Sequence, residues 1–178
     1  EILRQKEAID NEVFSLQTKI QEKLNTSDKF SFSGNIIFSW PVPNQGIVTY
    51  FMDQDYPFRN FFEHTGIDIR TLRDGRPSNG LPVKAAAPGI VIKVVRESIY
   101  GGNIIYIAHA GSITTVYMHL SKILLNTGDE VARGDLIGYS GGMPGTPGAG
   151  RFTTGPHMHF EVRKNGIPVN PLDYLINF

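Results

Sequence analysis

The chain has 178 residues, of which 40% are hydrophobic, enough for a domain with a buried core, and this excludes a disordered chain. Seventeen Lys and Arg residues balance seventeen Asp and Glu residues, and this neutral charge argues against nucleic acid as the main partner. Cysteine is absent, which excludes disulfides, thiolate metal sites and cysteine nucleophiles.

Residues 1–25 open the chain with a predicted helix that contains neither Gly nor Pro. Its apolar positions recur at steps of seven, four, three, four and four, close to the 3.5-residue period of a coiled coil. These positions are Ile2, Ile9, Val13, Leu16, Ile20 and Leu24. Because an isolated helix of this length is marginal in water, the stripe needs a partner. We predict a coiled-coil segment, and the alternative is a helix that packs on its own domain.

The next segment, residues 26–39, begins with polar residues and is predicted to link the helix to a domain over residues 40–178. In that domain, short β-branched and aromatic runs alternate with Gly, Pro and Asn. Nineteen Gly and eleven Pro residues indicate many turns, and no long helical pattern follows the first helix. These features predict a mainly β fold, an antiparallel β-sandwich or barrel-like core preceded by an N-terminal α-helix.

The sequence HTGIDIR carries the first candidate site residues. If this segment is extended, His64 and Asp68 share one face with Gly66 between them, while Ile67 and Ile69 share the other. The two isoleucines then serve the core. The glycine leaves room for a close approach to the sheet surface. An imidazole and a carboxylate are therefore expected on the same face.

Two further segments repeat this pattern of one apolar and one chemical face. In GPHMHFEVR, the chemical face carries His157, His159 and Glu161, and the alternate positions are apolar. In TTVYMHL, His119 is expected on the same face as Tyr117. If the chemical faces of all three segments meet, four imidazoles and a carboxylate converge.

Such a cluster suits a metal. Neutral imidazole and carboxylate are good zinc ligands, and three protein ligands are typical of a catalytic zinc site, whereas structural sites usually use cysteine. The helical HExxH signature is absent, which excludes a zincin-type protease. The fifth histidine, His109, lies beside a predicted turn and is interpreted as an ordinary structural residue. The residues alone do not divide the other four into ligands and catalytic groups.

The motifs HTGID, YMHL and TTGPHMHFEV, in this order, resemble the zinc endopeptidases of the lysostaphin and LytM type, the M23 peptidase family. The likeness extends to WPVP at residues 40–43, to LPVKAAAPGIVIKV and to NGIPVNPLDYL near the end. It covers about residues 40–176 and implies a compact β-sandwich core with a groove across it.

Carried over residue by residue, the resemblance implies that zinc is held by His64, Asp68 and His159. It makes His119 and His157 the catalytic histidines that do not bind the metal. We expect His157 to act as the general base toward water and His119 to stabilise the oxyanion, and the exchange of these roles is the alternative.

The resemblance also implies a substrate, the peptide cross-links of bacterial peptidoglycan, and a location outside the cytoplasmic membrane. Self-association through the helix, a cell-wall partner and a membrane anchor upstream of this fragment all stay open. The alternative function is a non-enzymatic or autoinhibited module of the same type that regulates cell-wall hydrolases. All five site positions are filled in this chain, which favours the enzyme.

Three stretches depart from the family pattern or vary within it: residues 51–62, 71–80 and 141–153. Residues 71–80 and 141–153 are expected to border the groove and to affect substrate preference rather than the chemistry. Residues 51–62, or the helix, could cover the groove in an autoinhibited form. Glu161 is either a partner that orients a neighbouring imidazole or a solvated surface charge.

Overall fold

The structure is a computed structural model, and it describes residues 1–32 and 35–176. It is mainly β with one N-terminal α-helix, which confirms the predicted fold class. Residues 33 and 34 of the predicted linker and residues 177 and 178 of the predicted domain lie outside the described residues. Within the described ranges, none of the helices combines the length and hydrophobicity that crossing a bilayer requires.

Helix α1 spans Ile2–Thr26, and short 3-10 helices lie at Asp28–Phe30 and Pro171–Asp173. The strands of the described chain are β1 (Ile47–Thr49), β2 (Ile67–Arg70), β3 (Leu72–Arg73), β4 (Arg76–Pro77), β5 (Pro82–Lys84), β6 (Gly89–Ser98), β7 (Gly102–His109), β8 (Ile113–Met118), β9 (Leu120–Ile123), β10 (Glu130–Val131), β11 (Leu136–Ser140), β12 (His157–Lys164) and β13 (Ile167–Val169).

The main sheet is antiparallel and has the strand order β1-β2-β12-β8-β7-β6-β10, with β13 paired to the end of β12. A smaller sheet has the order β5-β11-β9, and β3 and β4 form a separate hairpin. Strand β12 lies between β2 and β8. The three segments expected to carry the chemistry are therefore neighbours in the sheet.

Two hydrophobic cores lie on the two faces of the main sheet. The first core joins the main sheet to the smaller one and includes Ile67, Phe160 and Ile137. The second core lies between the main sheet and α1 and includes Tyr106 and Val13. Burial of each large apolar side chain stabilises the fold by about 1.5–3 kcal/mol. The two faces are thus closed by different elements, and the candidate site lies on the face that carries α1.

The apolar stripe of α1 packs on the second core. Val13 and Leu24 are buried there. The other stripe residues pack against the same core: Ile2, Ile9, Leu16 and Ile20. The helix confirms the prediction, and its partner in the structure is the chain's own sheet. A coiled coil with another chain stays a prediction. The domain boundaries also stay a prediction. Within the predicted linker, Phe30 is buried in the second core and Phe38 in the first.

His109 on β7 agrees with its interpretation as a structural residue. The ring is fully buried, Nδ1–H donates to the carbonyl of Pro88 at 2.7 Å, and Nε2 lies 2.8 Å from the hydroxyl of Thr115. Burial lowers the pKa of His109 to about 4, so the ring is neutral near pH 7.

Candidate metal centre

Strands β2 and β12 place two of the candidate ligands opposite each other. The antiparallel register pairs His159 with Asp68 and Phe160 with Ile67. Because side chains alternate along a strand, Ile67 and Phe160 fill the first core while Asp68 and His159 point to the other face. His64 lies three residues before β2 and joins them. The predicted division into apolar and chemical faces is therefore observed on β2 and β12.

Three donor atoms converge at this face. His64 Nε2 lies 3.0 Å from Asp68 Oδ1 and 3.1 Å from His159 Nδ1. His159 Nδ1 lies 2.8 Å from Asp68 Oδ1. Among the residues that the structure describes, these three form the one group of His, Asp and Glu side chains close enough together to hold a metal ion.

The outer nitrogens of both imidazoles face hydrogen-bond acceptors. His64 Nδ1–H donates to the carbonyl of Tyr50 at 2.7 Å, and His159 Nε2–H donates to Glu161 Oε1 at 3.2 Å. These bonds favour protons on the outer nitrogens, so that His64 Nε2 and His159 Nδ1 present lone pairs to the centre. Two imidazole nitrogens and a carboxylate oxygen are a donor set that suits zinc. The residues present therefore fit the metal that the resemblance implies.

Asp68 and His159 form a coupled buried pair. Burial raises the pKa of Asp68, but the charge of His157 and the contacts with His159 and His64 outweigh it and hold this pKa well below its usual range. Burial opposes protonation of His159, whereas hydrogen bonds to Asp68 and Glu161 raise its pKa to about 9. Opposite charges thus outweigh burial at both groups, and the positive charge that Asp68 and Glu161 favour at His159 is supplied by a proton on Nδ1 or, in its place, by a metal cation.

His119 reaches the centre by a route that the strand pattern does not predict. Its expected neighbour, Tyr117, points into the first core and packs on Phe160. The predicted shared face is wrong because β8 ends at Met118, and His119 adopts a left-handed backbone with φ 61°. This change of direction turns the imidazole to the side of Met118 and the candidate ligand His159.

His119 and His157 are each anchored by one backbone carbonyl. His119 Nδ1–H donates to Ala149 at 2.6 Å, and His157 Nδ1–H donates to Gly155 at 2.8 Å. The Nε2 atoms are therefore the nitrogens available for proton exchange, and that of His157 lies 3.5 Å from Asp68 Oδ1. Burial, and next the charge of His157, lower the pKa of His119 to about 3. The structure thus brings all five predicted site residues together.

Glu161 also belongs to the centre, and the alternative of a solvated charge is excluded because the residue is fully buried. Its Oε1 accepts hydrogen bonds from His159 and from the Thr65 hydroxyl, at 3.2 and 2.6 Å. Its Oε2 accepts one from Arg163 Nε–H at 2.7 Å. The sequence reasoning missed Arg163, although the alternation from His157 through Glu161 places it next on the same face.

Aromatic side chains cover the centre. The ring centroids of Tyr56 and His64 are 4.6 Å apart, and those of Phe62 and Phe152 are 4.7 Å apart. The five predicted site residues are only 2–7% exposed. The cavity between the aromatic rings and the histidines measures about 10 Å³, which is at the lower limit for one water molecule. Residues 51–62 therefore supply part of a cover over the centre.

A larger groove of about 590 Å³ extends to His157. Leu72 and Pro77 of the β3–β4 hairpin line it, together with Met143 of the 141–153 stretch. Arg70 is exposed and contributes a guanidinium to the same groove. Residues from both 71–80 and 141–153 thus border the groove.

The sequence model of peptidase family M23 matches residues 62–171, a stretch that includes all five predicted site residues. The chain is 42% identical over 93 residues to the peptidoglycan DD-endopeptidase ShyA of Vibrio cholerae, a stretch that makes up 52% of this chain and 20% of ShyA. The chain spans about one fifth of the length of ShyA and similar curated relatives.

Solved structures give the same picture. A crystal structure described as a zinc containing peptidase from Vibrio cholerae aligns with a TM-score of 0.60 and 34% identity, over 75% of this chain and 39% of that one. A chain in the SpoIIQ–SpoIIIAH pore forming complex aligns with a TM-score of 0.62 and 28% identity, over 78% of this chain and 90% of that one. The fold is therefore shared with a zinc peptidase and with a component of a protein complex.

Proposed function

The chain belongs to peptidase family M23, and on that ground we propose that it is a zinc metalloendopeptidase that hydrolyses peptide cross-links of bacterial peptidoglycan. The observation that carries the proposal is the convergence of three donor atoms, His64 Nε2, Asp68 Oδ1 and His159 Nδ1, at separations of 2.8–3.1 Å. These three residues are the proposed zinc ligands, and His119 and His157 are the proposed catalytic histidines. The DD-endopeptidase activity named for ShyA supports the substrate class.

Zinc held by these residues supplies Lewis-acid chemistry: it polarises a carbonyl and eases the deprotonation of water. His157 Nε2 accepts the proton of the attacking water, and the carboxylate of Asp68 lies 3.5 Å from this atom. His119 Nδ1–H is engaged by Ala149, so His119 must carry a second proton, at Nε2, to donate to the oxyanion. Burial disfavours that charged form, so the second proton comes from His157, which has taken it from the water and whose ring centroid lies 4.9 Å from that of His119, and it then passes from His119 to the leaving amine. The exchange of the two roles is the alternative.

The groove at His157 is the proposed binding site for the peptide. Its apolar walls suit the aliphatic parts of a peptide stem, and the guanidinium of Arg70 offers a partner for a carboxylate. Because peptidoglycan lies outside the cytoplasmic membrane, we propose an extracytoplasmic location for the domain.

The proposal is tested by digestion of purified peptidoglycan with the metal-free protein, with the zinc-reconstituted protein, and with the latter after addition of chelator. We expect soluble peptide-containing fragments only from the zinc-reconstituted protein without chelator. Mass spectrometry of these fragments identifies the bond cleaved. A His64→Ala variant serves as control and should bind no stoichiometric zinc and release no fragments. Release that is insensitive to chelator, or no release by any zinc-loaded form, would contradict the proposal.

An autoinhibited enzyme is the second candidate, and the cover over the centre favours it. Phe152 packs edge-on against Phe58 and Phe62 of the 51–62 stretch, at 5.3 and 4.7 Å between centroids. If this cover blocks the substrate, Phe152→Ala should raise the rate of fragment release. If the cover forms part of the substrate site, the same change should lower it. Phe14→Ala removes a half-exposed phenyl ring from α1 and is the matched control.

A regulatory module that acts through a protein partner is the remaining alternative. The similarity to a chain of the SpoIIQ–SpoIIIAH complex supports a partner for a domain of this fold. Self-association through α1 is a further form of this alternative. Zinc-loaded protein that stays inactive both as wild type and as Phe152→Ala would favour it over the enzyme.

A further inference from the structure

A chain of charged side chains runs from the candidate metal centre to α1. His159, Glu161 and Arg163 follow one another on one face of β12. Glu161 accepts hydrogen bonds from His159 at 3.2 Å and from Arg163 Nε–H at 2.7 Å. Arg163 Nη1–H then donates to Asp10 Oδ1 at 2.6 Å. Because Asp10 lies on α1, two side chains, Arg163 and Glu161, connect a residue of the N-terminal helix with the candidate metal ligand His159.

The inner members of this chain are removed from water. Glu161 is 0% exposed and Arg163 is 2% exposed, whereas the side chain of Asp10 is 27% exposed. A buried charge is tolerated only where opposite charges and hydrogen bonds compensate it. Two carboxylates compensate the guanidinium, and its Nη2 has no hydrogen-bond partner among the described residues. Loss of the Asp10 carboxylate would therefore leave Arg163 with Glu161 as its one anionic partner in this chain of groups.

Glu161 sets the state of the candidate ligand. A carboxylate that accepts Nε2–H of His159 keeps the lone pair on Nδ1, the atom that faces Asp68 and His64. The position of Glu161 depends in turn on Arg163, which bridges it to α1. The contact between α1 and β12 is thus linked to the candidate metal centre by hydrogen bonds between buried side chains.

We propose that Asp10 of α1 is a positioning residue for the metal centre, acting through Arg163 and Glu161 to hold His159 in its metal-binding tautomer and orientation. This inference rests on the proposed zinc site. It gives α1 a role beyond covering the second core, because the affinity of the centre for zinc depends on how the helix is docked.

Glu12 of the same helix provides a matched control. Its Oε1 accepts a hydrogen bond from Lys93 Nζ at 2.7 Å, and the two side chains are 51% and 26% exposed. This surface pair joins α1 to β6 rather than to β12. Glu12→Gln therefore removes the same charge from the same helix and leaves the chain of buried groups intact.

The experiment measures zinc affinity by competition with a chromophoric chelator for the wild type and for the Asp10→Asn, Glu12→Gln and Glu161→Gln variants. Glu161→Gln should weaken zinc binding by about 10–100-fold, the usual effect of losing a partner of a ligating histidine. Asp10→Asn acts one step further away and should weaken it by about 5-fold, whereas Glu12→Gln should leave it unchanged. In the Glu161→Gln background, Asp10→Asn should have no further effect, because the path to His159 is already interrupted.

Two additional measurements separate positioning from a purely structural contact. Thermal unfolding of each metal-free variant reports the stability of the fold. Long-range ¹H–¹⁵N spectra of the zinc-loaded protein report the His159 tautomer, and Asp10→Asn should shift the Nε2–H signal. Arg163→Lys keeps the charge but loses the planar guanidinium that bridges two carboxylates, and it should also weaken zinc binding.

The inference would be overturned if Asp10→Asn lowered the unfolding temperature but left the zinc affinity unchanged. An ion pair that only stabilises the fold would give this result. Should Asp10→Asn fail to fold, unchanged affinity in Arg163→Lys would overturn it equally. A wild type that binds no zinc would contradict the proposed function instead, so the two failures are distinguishable.

Discussion

His119 and His157 have similar anchors and different surroundings. Each donates Nδ1–H to one backbone carbonyl, so that Nε2 is the nitrogen available in both rings. His157 lies beside Asp68 and the groove, whereas His119 lies among the aromatic rings of the cover. The carboxylate of Asp68 lies next to His157 Nε2, whereas burial, and next the charge of His157, favour a neutral His119. This difference supports His157 as the base.

Alanine at His119 or at His157 should reduce turnover by about 10²–10⁴-fold, the usual contribution of a general acid or base, without loss of the metal. Alanine at His159 should remove zinc and activity together, because it deletes a proposed ligand. Zinc content by atomic absorption and fragment release from peptidoglycan are measured on the same samples. Full activity of His119→Ala would refute its catalytic role.

His109 makes a separate prediction about pH. Its pKa is about 4 in the fold and near 6.5 in an unfolded chain, so below pH 6.5 the unfolded state binds a proton that the folded state does not. The folded state is therefore destabilised as the pH falls from about 6.5 to 4, by about 3 kcal/mol in total. Above pH 6.5 this effect is absent.

The measurement is urea unfolding of metal-free wild type and His109→Gln between pH 7.5 and 4.5. The amide does not titrate, so the stability advantage of the wild type over the variant should shrink by about 2–3 kcal/mol on acidification. A difference in stability that is the same at both ends of the pH range would show that the ring titrates normally in the fold.

At the scale of elements, Gly66 permits the close approach of the segment before β2 to β12. A Cβ at this position would lie 2.4 Å from the carbonyl oxygen of Phe160 and 3.0 Å from His159 Nε2. The sequence predicts that the glycine allows a close approach, and the approaching group is the backbone of the neighbouring strand. The site geometry therefore depends on the absence of a side chain.

Gly66→Ala should destabilise the protein by about 1–3 kcal/mol, because a backbone oxygen cannot move aside without disturbing the strand pairing. It should also weaken zinc binding, since the displaced strand carries His159. Gly155→Ala is the control, because a Cβ there meets no atom within 4 Å. Unfolding curves measure the stability of both variants, and competition with a chelator measures their zinc affinity. Equal stability and equal zinc affinity of Gly66→Ala and Gly155→Ala would contradict the predicted role of Gly66.

At the scale of the whole molecule, α1 closes one face of the main sheet. Val13 is 2% exposed in the second core, whereas Leu3 on the same helix is 50% exposed. The face that the helix covers also carries the chain of charged groups that ends at His159. Docking of the helix and integrity of the site are therefore parts of one packing arrangement.

Val13→Ala should destabilise the protein by about 1–2 kcal/mol, since it removes two buried methyl groups from the second core. Leu3→Ala should change the free energy of unfolding by less than about 0.5 kcal/mol. Chemical unfolding of both variants at several protein concentrations is the measurement. Equal losses of stability in Val13→Ala and Leu3→Ala would indicate that α1 pairs with another chain rather than with its own sheet. An unfolding midpoint that rises with protein concentration would indicate the same.

The sequence by itself determines the mainly β fold, the N-terminal helix and the faces of β2 and β12. Alternation of side chains along an extended segment is a local property. It predicts, without knowledge of the fold, that Asp68 and His64 share one face of their segment and that His159 and His157 share one face of theirs. The same alternation extends to Glu161 and Arg163 on β12. Composition and residue order therefore identify the candidate donor set.

The tertiary structure alone decides where His119 points, what α1 packs on and how exposed the centre is. His119 leaves the strand pattern because its backbone turns left-handed at the end of β8, and the residue types nearby do not signal this turn. The stripe of α1 suits a second helix or a sheet equally well, because an apolar stripe does not specify its partner. The ion pair between Asp10 and Arg163 joins residues 153 positions apart, and such a contact exists only once the helix has docked.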